Sequence, residues 1–138
     1  MSFKPHKKLE AWKCSMELCK TIYQVCKKLP VDEKYGLVNQ MKRAAVSIPS
    51  NIAEGAARNS KKEFNQFLSI ALGSLSELDT QVELCVNYLN LLKDDDISEI
   101  NEKLEQIGKM ISGLKRSLKT TNHYLLTNYQ LKADNGLK

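Results

Sequence analysis

No stretch of this 138-residue chain approaches the run of about 18 apolar residues that a membrane-spanning helix needs. The opening Met-Ser-Phe-Lys-Pro-His-Lys-Lys has no apolar segment behind its charges, so no export leader is expected and the chain reads as cytoplasmic. Proline and glycine are scarce, at three and six residues, which excludes collagen-like and linker-like sequence. The length matches one domain with a real core. We place that domain at residues 1–119, with 120–138 as a frayed or mobile C-terminal tail.

Cysteine is present, but in no C-x-x-C pair: Cys14, Cys19, Cys26 and Cys85 stand apart. Without an export signal they are expected to be thiols. Cys19 and Cys26 would lie two helical turns apart, about 10 Å, too far to share one zinc at metal–sulfur lengths of about 2.3 Å. They read as small core residues. Catalytic patterns are missing as well. Neither His6 nor His123 has a glutamate three residues before it, as a two-metal bundle enzyme requires. There is no G-x-x-x-x-G-K-[ST], no G-x-S-x-G and no Cys-His pair with an orienting third group. Glu54 near Asn51 is better read as structural than as an acid–base group. No catalytic residue, metal or cofactor is assigned, no small-molecule substrate is expected, and the chain reads as a non-enzyme.

What the chain does contain is helical periodicity. From Ser60 to Leu92 the apolar residues Phe64, Leu68, Ala71, Leu75, Leu78, Val82, Cys85, Leu89 and Leu92 alternate steps of four and three, predicting one long helix with a heptad seam. Ser60 with Glu63 forms a capping box at its start. Ile97, Ile100, Leu104, Ile107, Ile111, Leu114 and Leu118 predict another helix, begun by Asp96 and Glu99, across a connector of Lys93 to Asp96. Near the N-terminus, one seam runs Leu9, Trp12, Met16, Cys19, Tyr23 and Cys26, and a second runs Ala11, Leu18, Ile22, Val25 and Leu29. Pro30 should end this helix. Gly36 to Gly55 is helical in spacing, with Pro49 predicting a kink. The class is all-α, and the architecture expected is an antiparallel up-down-up-down four-helix bundle with a left-handed supercoil.

The net charge of +5 is segregated along the chain. Residues 1–62 hold 13 Lys and Arg against 5 Asp and Glu, residues 63–108 hold 2 against 10, and residues 109–138 hold 6 against 1. An up-down bundle gathers Lys4, Lys7 and Lys8, then Arg58, Lys61 and Lys62, and finally Lys115, Arg116 and Lys119 at one end, opposite Asp94, Asp95, Asp96 and Glu99. Such a patch suits RNA or DNA phosphates, although no aromatics interleave it in sequence to stack unpaired bases. On the kinked helix, Gln40, Arg43, Ser47, Asn51 and Glu54 form a polar stripe flanked by small residues. The stripe reads as an oligomer or partner interface, with Arg43 and Glu54 as charge partners between subunits.

The run Q-M-K-R-A-A-V-S-I-P-S-N-I-A-E-G from Gln40 to Gly55, with Y-G-L before it and S-K-K-E-F-N-Q-F-L-S-I-A-L-G-S-L-S-E-L from Ser60 after it, resembles the four-helix-bundle proteins encoded in intervening sequences of bacterial 23S rRNA genes. Trp12 and the Ile22-Tyr23 pair fit too. The resemblance covers roughly Leu9 to Leu118, and Lys42 departs from it where arginine is common, keeping charge but losing a bidentate fork. It implies a bacterial, non-enzymatic bundle that assembles as a homo-pentamer. It also implies kinship with the accessory variability determinants of diversity-generating retroelements, which bind nucleic acid and partner a reverse transcriptase. Two functions are therefore expected in competition: nucleic-acid binding by a homo-oligomer through the basic end, or a scaffold for protein partners.

Overall fold

Apolar seams on successive segments leave each helix only one way to bury its stripe, which is against its neighbours. The computed structural model describes residues 4–120, and among them the only regular elements are helices. The four long ones are α1 (Glu10–Cys26), α2 (Asn39–Ala56), α3 (Lys61–Glu83) and α4 (Asp94–Thr120). The expected C-terminal tail lies outside the described residues, apart from Thr120 at the end of α4.

Each helix packs on the one before or after it, and α1 also packs on α4. Antiparallel pairing shows in the cross-contacts, where numbers rise on one helix as they fall on the other. Between α1 and α4 these are Cys14 with Gln106, Thr21 with Glu99, and Lys28 with Asp96. Met41 with Cys85 and Ser47 with Ser74 repeat the pattern between α2 and α3 and the turn that follows it. The core is aliphatic: Leu18, Ile22, Met41, Ile48, Ile52, Leu68, Leu78, Ile100, Ile107, Ile111 and Leu114 are essentially inaccessible to water. Each such side chain contributes about 1.5–3 kcal/mol of transfer free energy.

The two seams of α1 do not share the core equally. Ala11, Leu18, Ile22, Val25 and Leu29 are all buried, whereas Met16 and Tyr23 of the other seam are 47% and 45% exposed. α1 stops at Cys26, short of Pro30, as proline geometry requires. Helix α2 runs on through Pro49. Proline cannot donate to the carbonyl four residues back, that of Ala45, and the Cys19 thiol of α1 donates to this oxygen instead, at 3.2 Å. Burial pushes the Cys19 thiol up to about 11, so it keeps the proton that this bond uses.

The long helix expected to reach Leu92 ends sooner. After Glu83 the ladder widens into a π-helical turn, Leu84–Tyr88, and Asn90 then adopts a left-handed φ of 54°. The wider turn adds a residue to the rotation, so Leu89 swings out to 49% exposure. The link to α4 is consequently residues 89–93 rather than Lys93 to Asp96. α4 opens at Asp94, with the Asp96 carboxylate accepting the Lys93 N–H at 2.9 Å. A second π-helical turn, Lys34–Val38, occupies what was expected to be the first turn of the kinked helix.

Candidate nucleic-acid interface

Antiparallel packing decides which chain segments share an end. The 3-10 turn Pro5–Lys8 ahead of α1 packs on α2, and the α1–α2 pairing runs from Tyr23 beside Lys42 to Cys19 beside Ala45. Continuing that register carries the start of α1 to the end of α2. The α2–α3 link, residues 57–60, lies there too, and Lys115 near the end of α4 donates to Ser69 near the start of α3. The nine predicted basic residues thus sit on segments that meet at one end. Lys4, Lys7, Lys8, Arg58, Lys61, Lys62, Arg116 and Lys119 are exposed, while Lys115 is half-buried.

Local chemistry holds this end tightly. Ser60 caps α3 by accepting the Glu63 N–H at 3.1 Å, the first half of the capping box expected, while the Glu63 carboxylate accepts from the Ser60 hydroxyl at 3.3 Å rather than from a backbone N–H. Just before the link, Gly55 is obligatory for packing. A Cβ there would stand 2.7 Å from the Phe67 Cβ and 2.9 Å from Phe64 Cδ1. The close approach brings Phe67 beneath Arg58, whose guanidinium carbon lies 4.9 Å from the ring centroid. A Glu54 carboxylate oxygen lies 3.6 Å from Nη2 of the same guanidinium. In the 3-10 turn His6 meets Trp12 edge to face, with centroids 5.0 Å apart.

These rings correct the expectation that the basic patch lacks aromatics. Phe67 is six residues beyond Lys61 in sequence, and only the α2–α3 turn brings it under Arg58. The signal that could have found it is the pairing of Gly55 with Phe64 and Phe67, which makes sense only if two helices touch there.

The far end holds acids and bases together. It does carry Asp94, Asp95, Asp96 and Glu99, but Lys27, Lys28, Lys34 and Lys93 lie on the same segments. With Asp32 and Glu33 counted, six acids face four lysines on these segments, so the end stays net acidic. Lys28 Nζ contacts Asp96 at 2.6 Å. That hydrogen bond, with the one from the Lys93 backbone, holds the Asp96 carboxyl below the ordinary carboxylate range.

The polar stripe of α2 divides in two. Ser47 and Asn51 turn inward. Asn51 Nδ2 donates to the Ser47 hydroxyl at 2.9 Å and to the Ser47 carbonyl at 2.7 Å, while the Ser47 hydroxyl is 2.8 Å from that of Ser74 on α3. These two residues join helices within one chain. Gln40, Arg43 and Glu54 remain exposed. Glu54 meets Arg58 of its own chain rather than standing open as the charge partner of Arg43. Gln40, Arg43, Ala44 and Ser47 line an open groove of ≈ 460 Å³ with Glu77 of α3.

Among the described residues no group of His, Cys, Asp and Glu is arranged to hold a metal ion. No described helix is long and apolar enough to cross a membrane. The family model for the 23S rRNA-intervening sequence protein matches residues 7–113. No curated protein matches the chain.

Proposed function

The chain belongs to the 23S rRNA-intervening sequence protein family, and on that premise we propose a non-enzymatic, cytoplasmic, homo-oligomeric bundle that binds RNA or DNA through its basic end. The observation that carries this reading is the convergence of three basic segments where few acids answer them. On those three segments the carboxylates among the described residues are Glu10, Glu54 and Glu63, and the two whose partners are seen are engaged within the chain: Glu54 with Arg58 and Glu63 with Ser60. Phosphates meeting exposed Lys and Arg release condensed counterions, the usual driving force for sequence-independent binding.

Oligomerisation would multiply the effect. A ring of such ends, pentameric by the family resemblance, holds several weak patches together and raises their effective concentration along one polyanion. The exposed Gln40 and Arg43 and the groove they share with Glu77 are the face we assign to a second copy. Among the described residues neither Arg43 nor Glu77 is in an ion pair, so opposite charges remain for a neighbour. That same groove favours the second reading, a scaffold for another protein, of which a reverse transcriptase is one candidate.

The experiment is retention of mixed-sequence RNA and DNA across a salt series, alongside light scattering. Binding that weakens steeply with salt, by an assembly larger than a monomer, is expected. Salt-independent or absent retention overturns the nucleic-acid reading, and a strict monomer at micromolar concentration overturns the oligomer.

A further inference from the structure

We propose that the basic end takes nucleic acid in single-stranded form, with an unpaired base stacked on the Arg58 guanidinium. The inference rests on the nucleic-acid reading above and specifies which form of the polymer that site accepts.

The guanidinium is a plane with two faces and an edge. Its central carbon lies 4.9 Å from the Phe67 ring centroid, and Nη2 lies 3.6 Å from a Glu54 carboxylate oxygen. The side chain is nevertheless 42% exposed, which leaves it accessible to a base. Its root is fixed, because the Arg58 N–H donates to the Gly55 carbonyl at 3.1 Å, and Gly55 is the residue whose missing Cβ lets Phe67 come close. Phe67 and Glu54 therefore narrow the positions the guanidinium takes before any ligand arrives.

This narrowing matters because it reduces the entropy that an unrestrained arginine would lose on stacking. A guanidinium is also weakly hydrated and stacks readily on π systems, so a nucleobase could complete a ring–guanidinium–base sandwich. Bases inside a duplex are already stacked on their neighbours and offer only edges. Unpaired bases offer their faces, and such stacking is indifferent to sequence. Lys61 and Lys62 on the adjoining turn of α3 are placed for the flanking phosphates, and His6 in the 3-10 turn is a further ring at the same end.

The test uses the full chain and three fluorescent probes of about 20 nucleotides, enough to exceed ordinary single-strand site sizes. They are oligo-dT, an abasic strand with the same number of phosphates, and a duplex of the same length. Oligo-dT is expected to bind about tenfold more tightly than the abasic strand, the increment of one stacked base. Arg58→Lys keeps the charge and removes the plane, so it should bring oligo-dT down to the abasic affinity and leave abasic and duplex binding unchanged. Phe67→Leu, which leaves Arg58 in place without its backing ring, should move oligo-dT in the same direction. Equal affinity for oligo-dT and the abasic strand, or an Arg58→Lys loss shared by all probes, overturns the stacking site while leaving nucleic-acid binding intact. If no probe is retained at low salt, the nucleic-acid reading fails and takes this inference with it.

Discussion

The two ends of the bundle are built from the same kinds of residue and differ in how the backbone turns. At the basic end, α2 passes to α3 through residues 57–60, closed by the Ser60–Glu63 cap and the Gly55 contact. At the far end both chain reversals involve π-helical turns, Lys34–Val38 and Leu84–Tyr88, and the second is followed by the left-handed Asn90. Charges follow the same division. Each end shows one ion pair, Lys28 with Asp96 and Arg58 with Glu54, but the basic-end segments carry nine Lys and Arg whereas acids outnumber lysines at the far end. Function is to be sought where charge is left uncompensated on a firm frame, since such a site meets an anion with little rearrangement.

Reversing charge at the two ends is the hardest trial of that contrast. Lys61, Lys62, Lys115 and Arg116 changed together to Glu should weaken nucleic-acid binding by at least about a hundredfold at moderate salt, because each lost phosphate contact lowers both affinity and the salt slope. The matching change of Asp94, Asp95 and Glu99 to Lys should leave binding unchanged or slightly tighter. Titration of a labelled oligonucleotide reads both, and equal losses would erase the functional difference between the ends.

Glycines probe the frame. Gly55→Ala should destabilise by about 1–3 kcal/mol in urea unfolding, since the new methyl overpacks against Phe64 and Phe67. Gly73→Ala and Gly108→Ala, where an added Cβ meets nothing within 4 Å, should stabilise by roughly 0.5–1 kcal/mol through helix propensity. A neutral Gly55→Ala would mean the basic-end turn is looser than its contacts indicate.

The smallest effect concerns the far-end ion pair. The Asp96 carboxyl titrates below its unfolded value, so its stabilising contribution is complete above about pH 4 and is lost as pH falls through the lower, folded value. Asp96→Asn should remove that contribution at every pH above about 4, a small loss because the pair is near the surface, and the two proteins should converge in stability at low pH. An unchanged acid limb would show that Lys28 and Lys93 do not hold the carboxylate in solution.

Much of this was legible from spacing. The seam of α3 is buried or half-buried from Phe64 to Cys85, and that of α4 is buried from Ile97 to Leu118, as the heptad steps predict. The same steps misplace Leu89, because periodicity reports which face is apolar and is blind to an extra residue entering the ladder. The α2 stripe was legible as a stripe. That Ser47 and Asn51 turn toward Ser74 while Gln40 and Arg43 stay outside depends on where α3 lies, which α2 alone does not encode.

The helical class, the number of long helices and their buried seams belong to the sequence by itself, since they follow from local spacing, capping and proline chemistry acting within a few residues. Tertiary packing decided the rest. It set Cys19 against the carbonyl that Pro49 leaves open, matched Lys28 with Asp96, and slid Phe67 beneath Arg58. Each of those contacts joins residues on different segments, and their meeting depends on the register and approach distance of packed surfaces rather than on the order of residues along either one.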